Sequence, residues 1–279
     1  MNGTDEQFDA IIQLIKEKTG INARSSHRDG IKKYIEKRIS SLGISMQSFL
    51  SKLTTSESEF SGLINESTVN ETYFFREEKQ FALLRNQIFP EWARTSGKTP
   101  IPMWSAACAG GEEAYSLALL ARSCFLAPSV TASDINTNVL ARCAAGVYKP
   151  SSIRTSDGVL FQHLLAPYKK ADGSLIFSRD IKSFVKTERI NLAEIHTARF
   201  DPILPKRQHI VFLRNVFIYF DPPLRARILR AITEKCLGDG GYLFVSTSEI
   251  AQIDESITPA ALEKRSDGDV FYFHKKTGR

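Results

Sequence analysis

Three stretches of this sequence end apolar runs in small, acidic or amide residues, a pattern suited to ligand contact at strand ends. The first is Ser105-Ala-Ala-Cys-Ala-Gly-Gly-Glu-Glu113. Its small residues and its two glycines let a backbone approach a bound molecule closely. It is not the G-x-G-x-x-G fingerprint, and no Lys-Ser/Thr pair follows as in a phosphate-cradling loop. Two glutamates at a helix start repel phosphate, so the loop suits a nucleoside with a positive or hydroxyl-rich part. An ordinary helix with an acidic first turn explains the same residues. The second stretch is Ala132-Ser-Asp-Ile135. An acid at a strand tip can accept both ribose hydroxyls of an adenosine; the competing role for Asp134 is N-cap of the next helix. The third is Phe212-Leu-Arg-Asn-Val-Phe-Ile-Tyr-Phe-Asp221. Asn215 can hydrogen-bond a ligand and Tyr219 can face a reacting centre, or Tyr219 packs as core with Phe217, Ile218 and Phe220.

The elements that must position these residues follow from periodicity. Residues 1 to 67 read as four helices, with Phe8, Ile11, Ile12 and Ile15 at helix spacing in the first. The second, Gly30 to Leu42, carries Ile31, Tyr34, Ile35, Ile39 and Leu42 on one stripe. Residues 79 to 95 read as one further amphipathic helix. Strands are expected at Ile101–Ala107, Val130–Ser133, His209–Arg214, Tyr242–Ser246 and Val270–His274. Helices are expected at Glu112–Phe125, Asn136–Ala145 and Leu224–Leu237, the last closed by Gly238. That alternation specifies an α/β fold with a doubly wound, Rossmann-like sheet. Residues 149 to 190 break it. Leu175–Ser178 and Ser183–Thr187, beside Asp172-Gly173, read as a small antiparallel β insertion. The expected units are therefore a helical domain at 1–67 and an α/β domain at 68–279 containing the insertion.

Composition sets outer bounds. The 279 residues are 42% hydrophobic and 24% charged, ordinary for a globular chain and outside the disordered or fibrous classes. No apolar run approaches the roughly 20 residues of a membrane span, and residues 1–10 have no apolar signal region. The four cysteines are scattered without a C-x-x-C pair, so reduced thiols are expected and a metal site is not.

The resemblance becomes specific with Asn70-Glu-Thr-Tyr-Phe-Phe-Arg-Glu77, taken with Trp104–Ser116, Ala132–Ile135 and Arg214–Asp221. These four motifs, in this order, resemble the chemoreceptor glutamate methyltransferases of the CheR family. The resemblance spans essentially the whole chain and implies a class I S-adenosylmethionine-dependent methyltransferase. The implied reaction gives glutamate methyl esters and S-adenosylhomocysteine. By motif position it implies that Asn70, Thr72, Arg76, Glu113, Asp134, Asn191, Leu192, Asn215 and Val216 contact the cofactor. Arg76 and Tyr219 match the residues nearest the transferred methyl. It also implies a cytoplasmic monomer, recruited to receptor arrays by the cytoplasmic helices of methyl-accepting chemoreceptors. The family's Ser-Thr-Gly-Glu-Glu-Pro-Tyr is Ala-Gly-Gly-Glu-Glu-Ala-Tyr here. Members that dock on a receptor's C-terminal pentapeptide tend to carry an extra Gly-rich turn in the insertion. Lys169-Lys-Ala-Asp-Gly-Ser174 is too short for one, so a pentapeptide tether is not expected.

Charge points to the partner. The chain's net charge is only +6, but Lys16 to Arg38 holds eight cations against three acids. Arg28, Lys32, Lys33, Lys37 and Arg38 form the expected docking face for a Glu-rich receptor coiled coil; a merely solvated helix face is the alternative. A nucleic-acid methyltransferase would share fold and basicity. The chain lacks basic–aromatic interleaving and the Asn/Asp-Pro-Pro-Tyr motif suited to a flipped base, so no nucleic-acid partner is expected. A non-catalytic S-adenosylmethionine-binding sensor is the remaining rival.

Overall fold

The computed structural model describes residues 3–22 and 25–278. Four helices lead: α1 (Gly3–Thr19), α2 (Ser25–Leu42), α3 (Met46–Thr55) and α4 (Glu57–Ser67). Ser45 and Ser56 cap the last two through their hydroxyls, the side-chain acceptor a helix start requires. Phe8, Ile11, Ile15, Ile31, Ile35, Phe49, Leu53, Leu63 and Ile64 form their common core, on the faces that the apolar spacing specifies.

The expected helix over 79–95 is broken by a π-helical turn. It consists of α5 (Glu78–Leu83), the wider turn Leu84–Ile88 and α6 (Phe89–Ser96). Next come β1 (Ile101–Ala106), α7 (Glu112–Ser123), β2 (Pro128–Asp134) and α8 (Thr137–Ala145). The two-residue strands β3 (Val147–Tyr148) and β4 (Leu175–Ile176) flank 3-10 turns, and α9 (Arg179–Lys182) leads into β5 (Val185–Arg189). The chain ends with β6 (Gln208–Leu213), α10 (Pro222–Ala231), β7 (Leu237–Phe244), β8 (Leu262–Asp267) and β9 (Val270–Lys275). The main sheet runs β5-β2-β1-β6-β7-β9-β8. Its first five strands are parallel, and the C-terminal hairpin adds antiparallel to β7. This is the doubly wound sheet, with its switch point between β1 and β6, where such folds bind ligands. β1 is buried on both faces. Ile101 and Met103 join the core that includes α7, while Trp104 and Ala106 join the core that includes α10.

The small antiparallel insertion is present, with one of its two expected runs placed elsewhere. Leu175–Ile176 pairs antiparallel to Val147–Tyr148, and on its other side Leu175 bridges antiparallel to Lys169 across the Asp172-Gly173 turn. The run Ser183–Thr187 instead enters β5 and pairs parallel to β2, from Val130↔Val185 to Asp134↔Arg189. Strand propensity fixed its extended state but not its partner. Gly238 is likewise no helix cap. A second π-helical turn, Ile232–Cys236, carries the chain directly into β7, which contains Gly238.

The helical segment is tied directly to the α/β unit. Asn65 accepts from the Thr137 amide at 2.9 Å, and Asn136 donates to Thr68 Oγ1 at 2.7 Å and to the Asn65 carbonyl at 3.0 Å. Asn191 donates to the Lys18 carbonyl at 2.8 Å, and the Asn22 amide to the Tyr219 carbonyl at 3.0 Å.

Candidate active site

The carboxyl ends of β1, β2 and β6 open into one cleft. Each of the ten residues expected near the donor or the transferred methyl lines it: Asn70, Thr72, Arg76, Glu113, Asp134, Asn191, Leu192, Asn215, Val216 and Tyr219. Residues far apart in sequence therefore share one wall-to-wall space at the switch point.

The segment 70–77 has no regular structure and is held by anchors. Phe74 and Phe75, within it, are fully buried in one core. Phe74 meets Tyr148 edge-on at 5.0 Å, and Phe75 meets Phe81 at 5.4 Å between ring centroids. Each buried ring contributes roughly 2–3 kcal/mol. Asp157 pins the backbone beyond them by accepting from the amides of Glu77 (2.8 Å) and Glu78 (3.2 Å) and from the Tyr73 hydroxyl (2.8 Å). Burial alone would raise the Asp157 pKa, but these donors and the Gly158 amide hold it below the usual value. A folded-state pKa below the unfolded one stabilises fully above about pH 4, and the gain is lost as pH falls through the lowered value. Asp157→Asn should therefore remove part of the acid limb of a stability-versus-pH curve. Identical slopes below about pH 4 for both proteins would contradict this.

Arg76 leaves this anchored segment toward the cleft. Its guanidinium donates to the Glu71 carbonyl at 3.3 Å and lies 5.6 Å from the centre of the Tyr73 ring. Neither adjacent acid takes it. Glu77, at φ 58°, turns away to Ser246 and Thr247, and Glu78 accepts from the Leu160 amide. A surface pair with Glu77 or Glu78, the alternative role for Arg76, is absent from the described contacts.

The glutamate pair divides its work. Glu112 points away from the cleft, buried, to Arg142 at 2.9 Å and the Ser152 hydroxyl at 2.9 Å; burial raises its pKa. Glu113 faces the cleft, accepting from Ser105 Oγ at 2.5 Å and Arg214 Nε at 2.7 Å. Between strand and helix, Gly111 sits at φ 91° with Cys143 against the place a Cβ would occupy. A side chain there would both strain the turn and strike a buried thiol. Asp134 is buried at the tip of β2. Its oxygens accept from the amides of Ala109 (3.0 Å) and Asn136 (2.9 Å). Burial raises its pKa against the pull of those amides. The N-cap of α8 is Asn136, not Asp134, so the competing role for Asp134 falls away.

Asn191 lines the cleft with its amide committed to capping the 3-10 turn that follows and to the Lys18 carbonyl. Asn215 sits at φ 57°, a left-handed turn that asparagine tolerates better than most residues. Half-buried Tyr219 follows in the 3-10 turn Phe217–Tyr219.

Two parts of the site escaped the sequence. Arg214 is almost fully buried. Besides its bond to Glu113 it donates to the Arg76 carbonyl at 2.7 Å and Gln80 Oε1 at 3.1 Å, and it stacks 4.8 Å above Phe212. A charged residue ending an apolar strand was its only signal. Thr19 at the end of α1, Ile21 just beyond it and Ser67 at the end of α4 also line the cleft, so the helical segment supplies part of its wall.

On α2 the five expected docking cations separate into two groups. Arg28 bonds Asp9, and Arg38 forms a two-pronged pair with buried Glu59 at 2.6 and 2.8 Å. These two are engaged within the bundle. Lys32, Lys33 and Lys37 are exposed.

Residues 70–263 match the model of the CheR methyltransferase, SAM binding domain. The chain belongs to the CheR methyltransferase family. It is 33% identical over 258 residues to a chemotaxis protein methyltransferase of Klebsiella aerogenes, covering 88% of this chain and 83% of that protein. It is 32% identical to the Salmonella typhimurium chemotaxis protein methyltransferase over 254 residues, covering 88% and 84% respectively. To chemotaxis protein methyltransferase 2 of Vibrio cholerae it is 30% identical over 278 residues, 95% of this chain and 92% of that protein. As a CheR family member the chain is an S-adenosylmethionine-dependent methyltransferase of chemotaxis. The cleft suits that donor chemically. It offers a buried carboxylate at a strand tip for vicinal hydroxyls, an acid for an ammonium group, and glycines where close approach is needed.

Proposed function

We propose that this methyltransferase transfers the donor's methyl group to glutamate side-chain carboxylates of chemoreceptors. The observation that carries this reading is the convergence of Arg76 and Tyr219 on the cleft that also holds Glu113 and Asp134. Bound there, S-adenosylmethionine supplies a methyl on a sulfonium, an electrophile needing no further activation. The acceptor carboxylate is already ionised at pH 7, so the site needs no general base. The chain's tasks are positioning and exclusion of water, because opposite charges cancel in the transition state. Arg76 orients the acceptor with its fork of donors, and a grip tighter than the transition state requires would slow the step. Tyr219 shapes the methyl channel or hydrogen-bonds the same carboxylate. Asp134 takes the ribose, Glu113 the amino-acid end, and Asn191 and Leu192 lie beside the adenine. Asn70, Thr72, Asn215 and Val216 complete the contacts. Mapping the methylated receptor by mass spectrometry tests the acceptor: methyl on glutamates supports it, and methyl on nitrogen overturns it.

Residues 1–67 then serve as the receptor-docking unit and 68–279 as the catalytic unit of a cytoplasmic monomer. Among the described residues no helix is long and apolar enough to cross a membrane. Lys32, Lys33 and Lys37 form the exposed face for an acidic coiled coil, while Arg28 and Arg38 are already paired with Asp9 and Glu59. Lys33→Glu with Lys37→Glu should raise the KM for receptor at low salt by about tenfold, with kcat unchanged. Unchanged KM would end the docking role. The turn at Lys169–Ser174 is short and holds one glycine, the feature on which tether-free action rests. Receptor lacking its last residues should bind as tightly as intact receptor, and a large loss of affinity would contradict this.

A further inference from the structure

Glu249 lies in the turn after β7 and is fully buried. Its carboxylate accepts from the amides of Asn215 at 2.6 Å and Ile218 at 3.4 Å, and from that of Ser246 at 3.4 Å. The first two belong to the segment that ends in Tyr219. Ser246 in turn donates its hydroxyl to Glu77 at 2.6 Å, and Glu77 also accepts from the amide and hydroxyl of Thr247 at 3.1 and 3.2 Å. Glu77 directly follows Arg76. Arg214 closes the circuit by donating to the Arg76 carbonyl at 2.7 Å, one residue before Asn215. The two loops that carry Arg76 and Tyr219 are thus joined in a ring through Glu77, Ser246, Glu249 and Arg214.

A buried carboxylate facing amide donors is a costly way to satisfy groups that a hydroxyl or a water would satisfy as well. What it adds is rigidity. One planar group with two oxygens spans two loops and fixes their spacing. Asn215 needs such a hold, because its left-handed backbone is a conformation most residues leave when released.

We propose that Glu249 is a positioning residue for methyl transfer, setting the spacing of the Arg76 and Tyr219 loops through Ser246 and Glu77. The proposal rests on the reading of Arg76 and Tyr219 as the pair beside the reacting methyl.

The test measures kcat at saturating donor and receptor, and donor Kd by calorimetry, for Glu249→Gln, Glu77→Gln and the double variant. Because misplacement by about 1 Å can cost on the order of 100-fold in rate, each single variant should lose about 10- to 100-fold in kcat. Donor Kd should rise no more than about threefold, and the double variant should be no slower than the slower single, as for two parts of one tie. A wild-type kcat in Glu249→Gln, a loss confined to donor Kd, or losses that multiply in the double variant would overturn the proposal. If Glu249→Gln does not fold, Ser246→Ala removes only the hydroxyl link and should still slow turnover about three- to tenfold; a wild-type rate there overturns the tie. Arg76→Ala in the same assay separates the two failures. A slow Arg76→Ala beside a normal Glu249→Gln removes the tie alone, whereas a normal Arg76→Ala removes the reacting pair and the tie with it.

Discussion

Asp134→Ala should weaken binding of S-adenosylmethionine by roughly 30- to 900-fold, about 2–4 kcal/mol. Both Asp134 oxygens already accept one backbone amide, from Ala109 and Asn136. Each keeps a further lone pair, which is what two neighbouring ribose hydroxyls require. Removing the carboxylate leaves those hydroxyls without partners and frees the Ala109 amide, so the loss includes some preorganisation of the 105–113 loop. Asp134→Asn keeps the shape and one acceptor and should fall between the wild type and Asp134→Ala. Calorimetric titration with the donor decides it, and unchanged affinity would remove Asp134 from the site.

Arg214→Met should be the most destabilising single change in the cleft, costing about 3–5 kcal/mol. Arg214 is the cation beside Glu113, and the side chains of the pair are 2% and 10% exposed. Without it, Glu113 keeps the Ser105 hydroxyl but becomes a largely buried carboxylate with no cation beside it. Loss of that size is a large share of the roughly 5–15 kcal/mol that holds a domain folded. Adding Glu113→Gln to Arg214→Met removes the stranded charge and should restore part of the stability. Denaturant unfolding of the three variants checks this. A double variant no more stable than Arg214→Met would show that packing against Phe212 and Phe81, rather than charge, explains the loss.

The parts of this molecule legible in its sequence are those where local chemistry and tertiary role coincide. β1, β2 and β6 are short apolar runs ending in small or polar residues, so strand and site were visible together. The four leading helices announce themselves by apolar spacing. What was hidden depends on partners distant in sequence. Ser183–Thr187 reads as a strand, but pairing with β2 rather than within an insertion is a tertiary choice. β8 was missed because Glu263 to Asp267 are all exposed on an edge strand, where no buried face imposes alternation. The π-helical turns at Leu84–Ile88 and Ile232–Cys236 leave no period for a pattern to reveal. Arg28 and Arg38 share their helix with Lys33 and Lys37. Only the positions of Asp9 and Glu59 in the folded bundle show that they are paired within it. Glu249 lies in none of the recognisable strand ends, and its place beneath the Asn215 turn exists only after folding.

The most direct measurement is transfer of labelled methyl from S-adenosylmethionine to membranes containing chemoreceptors. The expected result is label on a receptor-sized band, released as methanol by mild base, as a carboxyl methyl ester requires. Label that resists base, or tight donor binding with no transfer to any receptor supplied, would contradict it.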